Sequence, residues 1–166
     1  KNCAAAQFFE HAIFINPSNA GALANLGVIK AGQGFTDEAI ALYERSIQAQ
    51  PDQLEPANNL GVALLDKGRP GEAAAVLRGL IERGIPAPET YSNLGNALYK
   101  LGDTMGAADA YQTALSLKPG DHGTRVKRAL LLPVVAASFE AMEVSRCELS
   151  RRIEELISSP PVLRDP

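Results

Sequence analysis

Apolar residues recur at helical spacing along most of the chain, and the pattern itself repeats every 34 residues. The tripeptide Asn-Leu-Gly occurs at 25–27, 59–61 and 93–95. Within 54–66, apolar side chains stand at positions 57, 60, 64 and 65, which is the spacing of one helical face. A repeat of this length predicts that each unit is a pair of helices, and that the units bury their apolar faces against one another.

The ends of each predicted pair are marked by glycine and proline. Glycine ends the first helix, since it enters the left-handed conformation without steric cost, and the positions are Gly34, Gly68 and Gly102. Proline ends the second helix, because it bars the preceding residue from helix, and the positions are Pro17, Pro51 and Pro119. Pro86 is displaced by one residue from this column. The second helices are expected to begin near Asp37, Gly71 and Thr104.

Small residues are predicted to bring the two helices of a pair close together. They are Gly27, Gly61 and Gly95 on the first helix and Ala39, Ala73 and Ala107 on the second. The predicted organisation is a lone second helix in 1–19, full repeats in 20–53, 54–87 and 88–121, capping helices in 122–158 and a linker in 159–166.

These columns resemble the tetratricopeptide repeat family, and the resemblance covers residues 3–121. It implies an all-α fold, a right-handed α-solenoid of helical hairpins with a C-terminal capping or linker helix, and a role in protein–protein interaction. Lys30 departs from the pattern, since the family has a large apolar residue there. Gly79, inside a predicted helix, should cost about 1 kcal/mol relative to alanine.

The two ends differ from the repeats. Residues 3–15 match only a second helix, which suggests further repeats before them in the parent protein and leaves Phe8 and Phe14 poorly covered, so we expect self-association through this helix. Pro133 should stop the helix that begins near His122. A last helix from about Ser138 to Ser158 carries an apolar stripe, expected to be buried, at Phe139, Met142, Leu149, Ile153 and Leu156.

A second resemblance concerns the C-terminal part. The stretch Arg128-Ala-Leu-Leu-Leu-Pro133, Arg146 and the tail 159–166 are similar to the join between repeats and catalytic region in bacterial SPINDLY-type O-linked N-acetylglucosamine transferase-like enzymes. This implies a cytoplasmic protein glycosyltransferase as the parent, with this segment recruiting its protein substrates. The alternative is a free-standing scaffold or assembly protein unrelated to glycosylation.

Composition and chemistry favour binding over catalysis. The net charge of −3 gives no broad attraction to nucleic acid, and the longest apolar stretch, nine residues at 129–137, is too short to span a membrane. Cys3 and Cys147 are far apart and lack metal-ligand spacing. His11 and His122 lie at opposite ends. We therefore expect no catalytic residues, no metal site and no cofactor in this segment.

Asparagines mark the candidate binding site. In the repeat family the first helices line a concave groove, and the positions that would face it here include Asn25, Asn59 and Asn93, with Asn58 and Asn96 beside them as further candidate peptide-binding residues. In the glycosyltransferases an asparagine column bonds the backbone of extended substrates, a task that suits a carboxamide because it both donates and accepts. The alternative role is bonding between hairpins. A basic clamp for a carboxylate tail is disfavoured, since the corresponding slots hold Gly21, Ala24, Glu55, Asn58, Glu89 and Ser92.

Overall fold

Every regular element in the computed structural model, which describes residues 2–131 and 139–158, is an α-helix. The helices are α1 (Asn2–Ile15), α2 (Ala20–Gly32), α3 (Thr36–Ala49), α4 (Leu54–Asp66), α5 (Pro70–Glu82), α6 (Pro88–Lys100), α7 (Thr104–Leu117), α8 (His122–Ala129) and α9 (Phe139–Ser158). Successive antiparallel pairs follow the 34-residue period, so the predicted fold class, an all-α helical-repeat solenoid, is confirmed.

Glycine ends the first helices as predicted. Gly34, Gly68 and Gly102 have φ angles of 84°, 70° and 85°, which only glycine adopts without strain. A fourth glycine, Gly84, has a φ of 75° and ends α5, where the Ile85 amide donates to the Leu80 carbonyl at 3.2 Å. Since α5 already ends on glycine, proline is not needed at position 85, which accounts for the displaced Pro86.

The contacts divide the chain into two units, Lys1–Pro86 and Ala87–Pro166. In the first unit, α1 covers the α2–α3 pair by packing Ala6, Phe9 and Ile13 against a core of Leu23, Leu26 and Leu42. In the second unit, α6 pairs with α7, and α8 and α9 follow. The core of the second unit includes Leu94, Ala97, Leu98, Ala107, Ala110, Tyr111 and Ala114.

The small residues of the first helices make room for a large side chain of the second helix. A Cβ atom added at Gly27 would lie 2.6 Å from the Tyr43 ring, and one at Gly95 would lie 2.5 Å from the Tyr111 ring. At Gly61 the neighbour is Leu77, at 3.1 Å. The predicted close approach is therefore present, and the Tyr43, Leu77 and Tyr111 column occupies the space.

The C-terminal helix α9 contacts α8 through a polar side chain. Arg152 donates to the carbonyl oxygens of Arg128 at 3.3 Å and Leu131 at 3.2 Å, at the end of α8. The predicted buried stripe is wrong at Ile153, which is exposed, because its neighbour Arg152 faces α8. Leu149 and Leu156 are half-buried. The side chains of Phe139 and Met142 lie outside the described residues.

Candidate functional site

A cleft of about 250 Å³ lies between α2 and α4 in the first unit. We call it the α2–α4 cleft, and its lining residues are Val28, Ala31, Thr36, Tyr43, Asn59, Val62, Ala63 and Asp66. The cleft exists because α2 and α4 are the first helices of successive repeats, so equivalent faces lie beside each other.

The walls of the α2–α4 cleft are apolar but open to solvent. Val28 is 46% exposed and Val62 is 41% exposed, and each follows an Asn-Leu-Gly tripeptide at the equivalent position. Tyr43, which is 2% exposed, contributes its ring to the lining. An open concave surface with apolar walls and a few polar groups is typical of a ligand site.

The polar residues that line the α2–α4 cleft include an amide and a carboxylate besides the hydroxyl residues Thr36 and Tyr43. Asn59 and Asp66 lie on α4, and no lysine or arginine is among the lining residues. Burial, followed by the nearby Glu55 carboxylate, raises the pKa of the Tyr43 hydroxyl, which keeps it neutral. The cleft therefore favours a segment with apolar side chains and N–H or cationic donors.

Lys30, which departs from the family pattern, makes its polar contacts outside this cleft. Its ammonium pairs with Glu38 at 2.7 Å and lies 5.5 Å from the centroid of the Phe35 ring. The hydrogen bond to Glu38 raises the pKa of Lys30, so its charge stays engaged near the end of α2.

The five predicted asparagines have different surroundings. Asn59 is half-buried and lines the α2–α4 cleft. Asn25, its equivalent one repeat earlier, is exposed and donates to the Gly21 carbonyl of its own helix at 2.9 Å. Asn93 is half-buried on α6. The same column therefore holds side chains with unequal freedom to bind a partner.

The two asparagines outside the repeated tripeptide also differ from each other. Asn58 is 8% exposed, and its Oδ1 has no hydrogen-bond partner in the part of the chain that the structure describes. Asn96 accepts a hydrogen bond from the Tyr111 hydroxyl at 2.9 Å. Burial raises the pKa of Tyr111 to about 12, with a smaller contribution from Tyr99, so the hydroxyl remains a donor at neutral pH. Asn96 thus joins the two helices of a hairpin.

The sequence interpretation missed the apolar half of the cleft. Val28 and Val62 are 34 residues apart, directly after the glycine of the tripeptide, while the third copy has Asn96 there. A signal was present, because an apolar column on the first-helix face would be unusual on a purely solvated surface. Asp66, at the end of α4, could not be found in this way, because no acidic residue recurs at its position in the other repeats.

The second unit has a cavity of about 270 Å³ lined by arginines. Arg151 pairs with Glu148 at 2.7 Å and with Glu155, and Arg152 pairs with Glu148 at 2.8 Å. Hydrogen bonds from Arg151 and then Arg152 lower the pKa of Glu148 to about 2. These ion pairs all lie within α9, and of the paired arginines Arg152 also donates to carbonyl oxygens at the end of α8.

Among residues 2–131 and 139–158, no group of three or more histidine, cysteine or acidic side chains could hold a metal ion. None of the helices described above combines the length and apolarity needed to cross a membrane.

Comparisons with known proteins identify the repeats. A family model described as a tetratricopeptide repeat matches residues 4–53 and 58–122, and another with the same description matches 30–84. A comparison with curated proteins found no match.

Solved structures share the fold at low sequence identity. MamA (41-end) from Desulfovibrio magneticus RS-1 superposes with a TM-score of 0.75 at 15% identity, over 96% of this chain and 88% of that one. YrrB, described as a protein with an unusual peptide-binding site, has a TM-score of 0.68 at 20% identity, over 89% and 75%. PilF of Pseudomonas aeruginosa has a TM-score of 0.73 at 19% identity, over 90% and 65%. These likenesses establish the arrangement of helices.

Proposed function

Because the chain belongs to the tetratricopeptide repeat family, we propose that it is a protein-interaction scaffold that holds an extended segment of a partner in the α2–α4 cleft. The observation that carries the proposal is the pair of exposed valines, Val28 and Val62, facing one cleft together with the Asn59 amide. A partner's apolar side chain would cover the valines, while its backbone would bond to Asn59.

Physical chemistry sets the character of the segment. Removing apolar surface from water yields about 25 cal/mol per Å², so an apolar side chain of the partner that covers Val28 and Val62 supplies a driving force for binding. The Asn59 carboxamide can donate to a backbone carbonyl and accept from a backbone amide. The Asp66 carboxylate favours a cationic side chain nearby. We therefore propose an extended peptide with an apolar residue followed or preceded by lysine or arginine.

We propose the free-standing scaffold in preference to the substrate-recruiting arm of a glycosyltransferase. Solved structures with this fold include MamA, YrrB and PilF, and YrrB is described as having an unusual peptide-binding site. The unequal surroundings of Asn25 and Asn59 also weigh against a uniform asparagine ladder. A cytoplasmic setting is part of the proposal. The gene beyond Pro166 discriminates the two hypotheses, since a nucleotide-binding α/β segment there would favour the glycosyltransferase.

The proposal includes self-association through α1. Phe8 is 69% exposed and Phe14 is 84% exposed, which are large apolar areas to leave in water. Ala6, Phe9 and Ile13 pack α1 against the core, and the Phe8 ring lies edge-on against the Phe9 ring with the centroids 5.6 Å apart, so the exposed aromatics are presented on an anchored helix.

Peptide binding can be tested by NMR titration of the chain with a blocked peptide of alternating leucine and lysine, using an alternating serine and lysine peptide as control. We expect shifts at Val28, Asn59 and Val62 with the leucine peptide only. Val62→Asp should abolish them. Met105→Asp, at an exposed apolar residue of α7, is the matched control.

Asn59 and Asn25 form a second matched pair. Asn59→Ala should weaken binding about two- to tenfold, since a net hydrogen bond is worth about 0.5–1.5 kcal/mol. Asn25→Ala should leave the affinity unchanged, because Asn25 is bonded to its own helix. Equal losses from both substitutions, or shifts away from the cleft, would contradict the proposed site. Thermal melts of both variants would show whether a loss reflects folding.

A further inference from the structure

The arginine-lined cavity of the second unit is bounded by α7, α8 and α9 and has a volume of about 270 Å³. Leu115 of α7 and Leu156 of α9 form apolar parts of its wall. The charged lining residues are Arg125, Arg128, Arg151, Arg152 and Glu155. Guanidinium groups gathered around one cavity repel one another unless negative charge is close to them. A negatively charged ligand would therefore be stabilised there.

The cavity is a feature of the repeat that has changed its chemistry. In the first unit a cleft of about 310 Å³ is lined by residues of α3, α4 and α5, and most of them are apolar. The lining residues of the two sites that stand two 34-residue periods apart are Ile47 and Leu115, Ala57 and Arg125, Leu60 and Arg128, and Arg83 and Arg151. Two apolar positions of the first helix are thus arginine in the second unit.

Arg128 is the more unusual of these two arginines. It stands where the Asn-Leu-Gly tripeptides have leucine, because the corresponding residues 127–129 are Lys-Arg-Ala. Leu26, Leu60 and Leu94 are 5%, 3% and 7% exposed, whereas Arg128 is exposed. Arginine at this position gives up the burial of an apolar side chain. Within the described residues, its guanidinium has no hydrogen-bond or ion-pair partner that would account for the exchange.

Two glutamates of α9 offset only part of the positive charge. Glu148 pairs with Arg151 and Arg152, and Glu155 pairs with Arg151. The four lining guanidinium groups against these two carboxylates leave two positive charges in excess. Arg151 and Glu155 are exposed, and ion pairs in contact with solvent are weak. An anion of higher charge can therefore take over some of these donors.

A phosphate group suits this setting better than a single carboxylate. One carboxylate would gain no more from the arginines than Glu155 already does. A phosphate monoester carries nearly two negative charges at neutral pH and has three acceptor oxygens. Arginine binds such a group through two parallel N–H donors. One phosphate can thus accept from arginines of α8 and α9 together.

We infer that the arginine-lined cavity binds a phosphate monoester, and that Arg128 is its main ligand on α8. Arg125 lies three residues earlier, so the two side chains share a face of the helix. The site is independent of the α2–α4 cleft, since it lies in the other unit and shares no lining residue with it. A small phosphate compound and a phosphorylated side chain of a partner present the same group, and the test distinguishes them.

Isothermal titration calorimetry of the whole chain, at a slightly alkaline pH where phosphate is mostly doubly ionised, tests the inference. The probes are inorganic phosphate, a blocked phosphoserine peptide, the same peptide without phosphate, and succinate as a carboxylate of equal charge. We expect the two phosphate probes to bind more tightly than the other two. Tighter binding of the phosphoserine peptide than of inorganic phosphate would assign the site to a modified partner, and equal binding would assign it to a small phosphate compound.

Arg128→Leu and Lys127→Asn form a matched pair of variants. Each removes one positive charge from an exposed position of α8 and restores the residue of the tripeptide. Arg128→Leu should weaken phosphate binding about tenfold or more, because charged hydrogen bonds are lost. Lys127 does not line the cavity, so Lys127→Asn should change the affinity by less than about twofold. Arg128→Lys keeps the charge without the two-donor fork and should give an intermediate loss.

Thermal melts separate a loss of binding from a loss of folding. Leucine is the residue that the other repeats bury at this position, so Arg128→Leu should melt no lower than the original chain. If it melts lower, Arg125→Ala, which restores the residue found at position 57, tests the same site. The inference is overturned if neither phosphate probe binds, if succinate binds as tightly as phosphate, or if Arg128→Leu and Lys127→Asn weaken binding equally.

Discussion

Glycine-to-alanine substitutions should have opposite effects on stability at different places in this fold. At Gly95 an added Cβ atom would lie 2.5 Å from the Tyr111 ring, whereas at Gly79 it would meet nothing within 4 Å. Both residues lie inside helices, so alanine brings the same intrinsic gain of about 1 kcal/mol at each. The difference between the two variants therefore isolates the steric conflict in the α6–α7 hairpin.

The size of that conflict follows from the packing. Carbon atoms in contact normally lie about 3.5–4.0 Å apart, so the Tyr111 ring would have to move by roughly an ångström. The ring is buried, and its hydroxyl is bonded to Asn96 at 2.9 Å, which opposes the movement. Overpacking costs about 1–3 kcal/mol. We expect Gly79→Ala to raise the free energy of unfolding by about 1 kcal/mol. The free energy of unfolding of Gly95→Ala should be about 1–3 kcal/mol lower than that of Gly79→Ala.

Urea denaturation followed by circular dichroism measures both values. The double variant Gly95→Ala with Tyr111→Leu replaces the ring by the residue type that faces Gly61, where an added Cβ atom would lie 3.1 Å from Leu77 instead of 2.5 Å from a tyrosine ring. Its two substitutions should therefore be less destabilising together than the sum of the single effects. If Gly79→Ala and Gly95→Ala shift the free energy of unfolding equally, the close contact between Gly95 and Tyr111 does not constrain the hairpin.

Three further predictions concern polar contacts. Arg152→Ala should destabilise the α8–α9 contact by about 1 kcal/mol or more, visible as faster hydrogen exchange in α8. Arg151→Ala should change stability much less, because Arg151 is exposed and its ion pairs are screened by solvent. Both arginines lower the pKa of Glu148 to about 2. The stabilisation of the fold by ionised Glu148 is therefore complete above the ordinary glutamate pKa of about 4.3 and is lost as the pH falls toward 2. Glu148→Gln should flatten that part of a stability–pH curve measured by thermal melts. Ser46→Ala should cost about 1 kcal/mol in the same melts, since the buried hydroxyl donates to a carbonyl of α2 at 2.8 Å.

The repeat made most of the fold predictable from sequence. The predicted helix at 54–66 matches α4 residue for residue, and the glycines at 34, 68 and 102 have the expected positive φ. These features depend on local backbone preferences that recur in phase. The end of α5 at Gly84 was harder to predict, because one glycine there replaces the proline signal of the other repeats.

The candidate site was less predictable than the fold. Residues at equivalent positions of the repeats need not have equal surroundings. The first helix of one repeat has another first helix beside it only where a neighbouring repeat supplies one. Asn59 has α2 beside it and lines a cleft, while Asn25 bonds to its own helix. The phase of α9 was misjudged at Ile153 for a related reason: the apolar stripe did not reveal that Arg152 would be held by the carbonyls at the end of α8.

The close approach of glycine to tyrosine gives this chain internal spectroscopic markers. The α-protons of Gly27 and Gly95 lie against the rings of Tyr43 and Tyr111, so ring currents should displace their resonances from the usual glycine position. Gly61, which faces Leu77, should lack this displacement. The chain contains no tryptophan, yet a proton spectrum can still follow one hairpin of each unit separately during unfolding or titration.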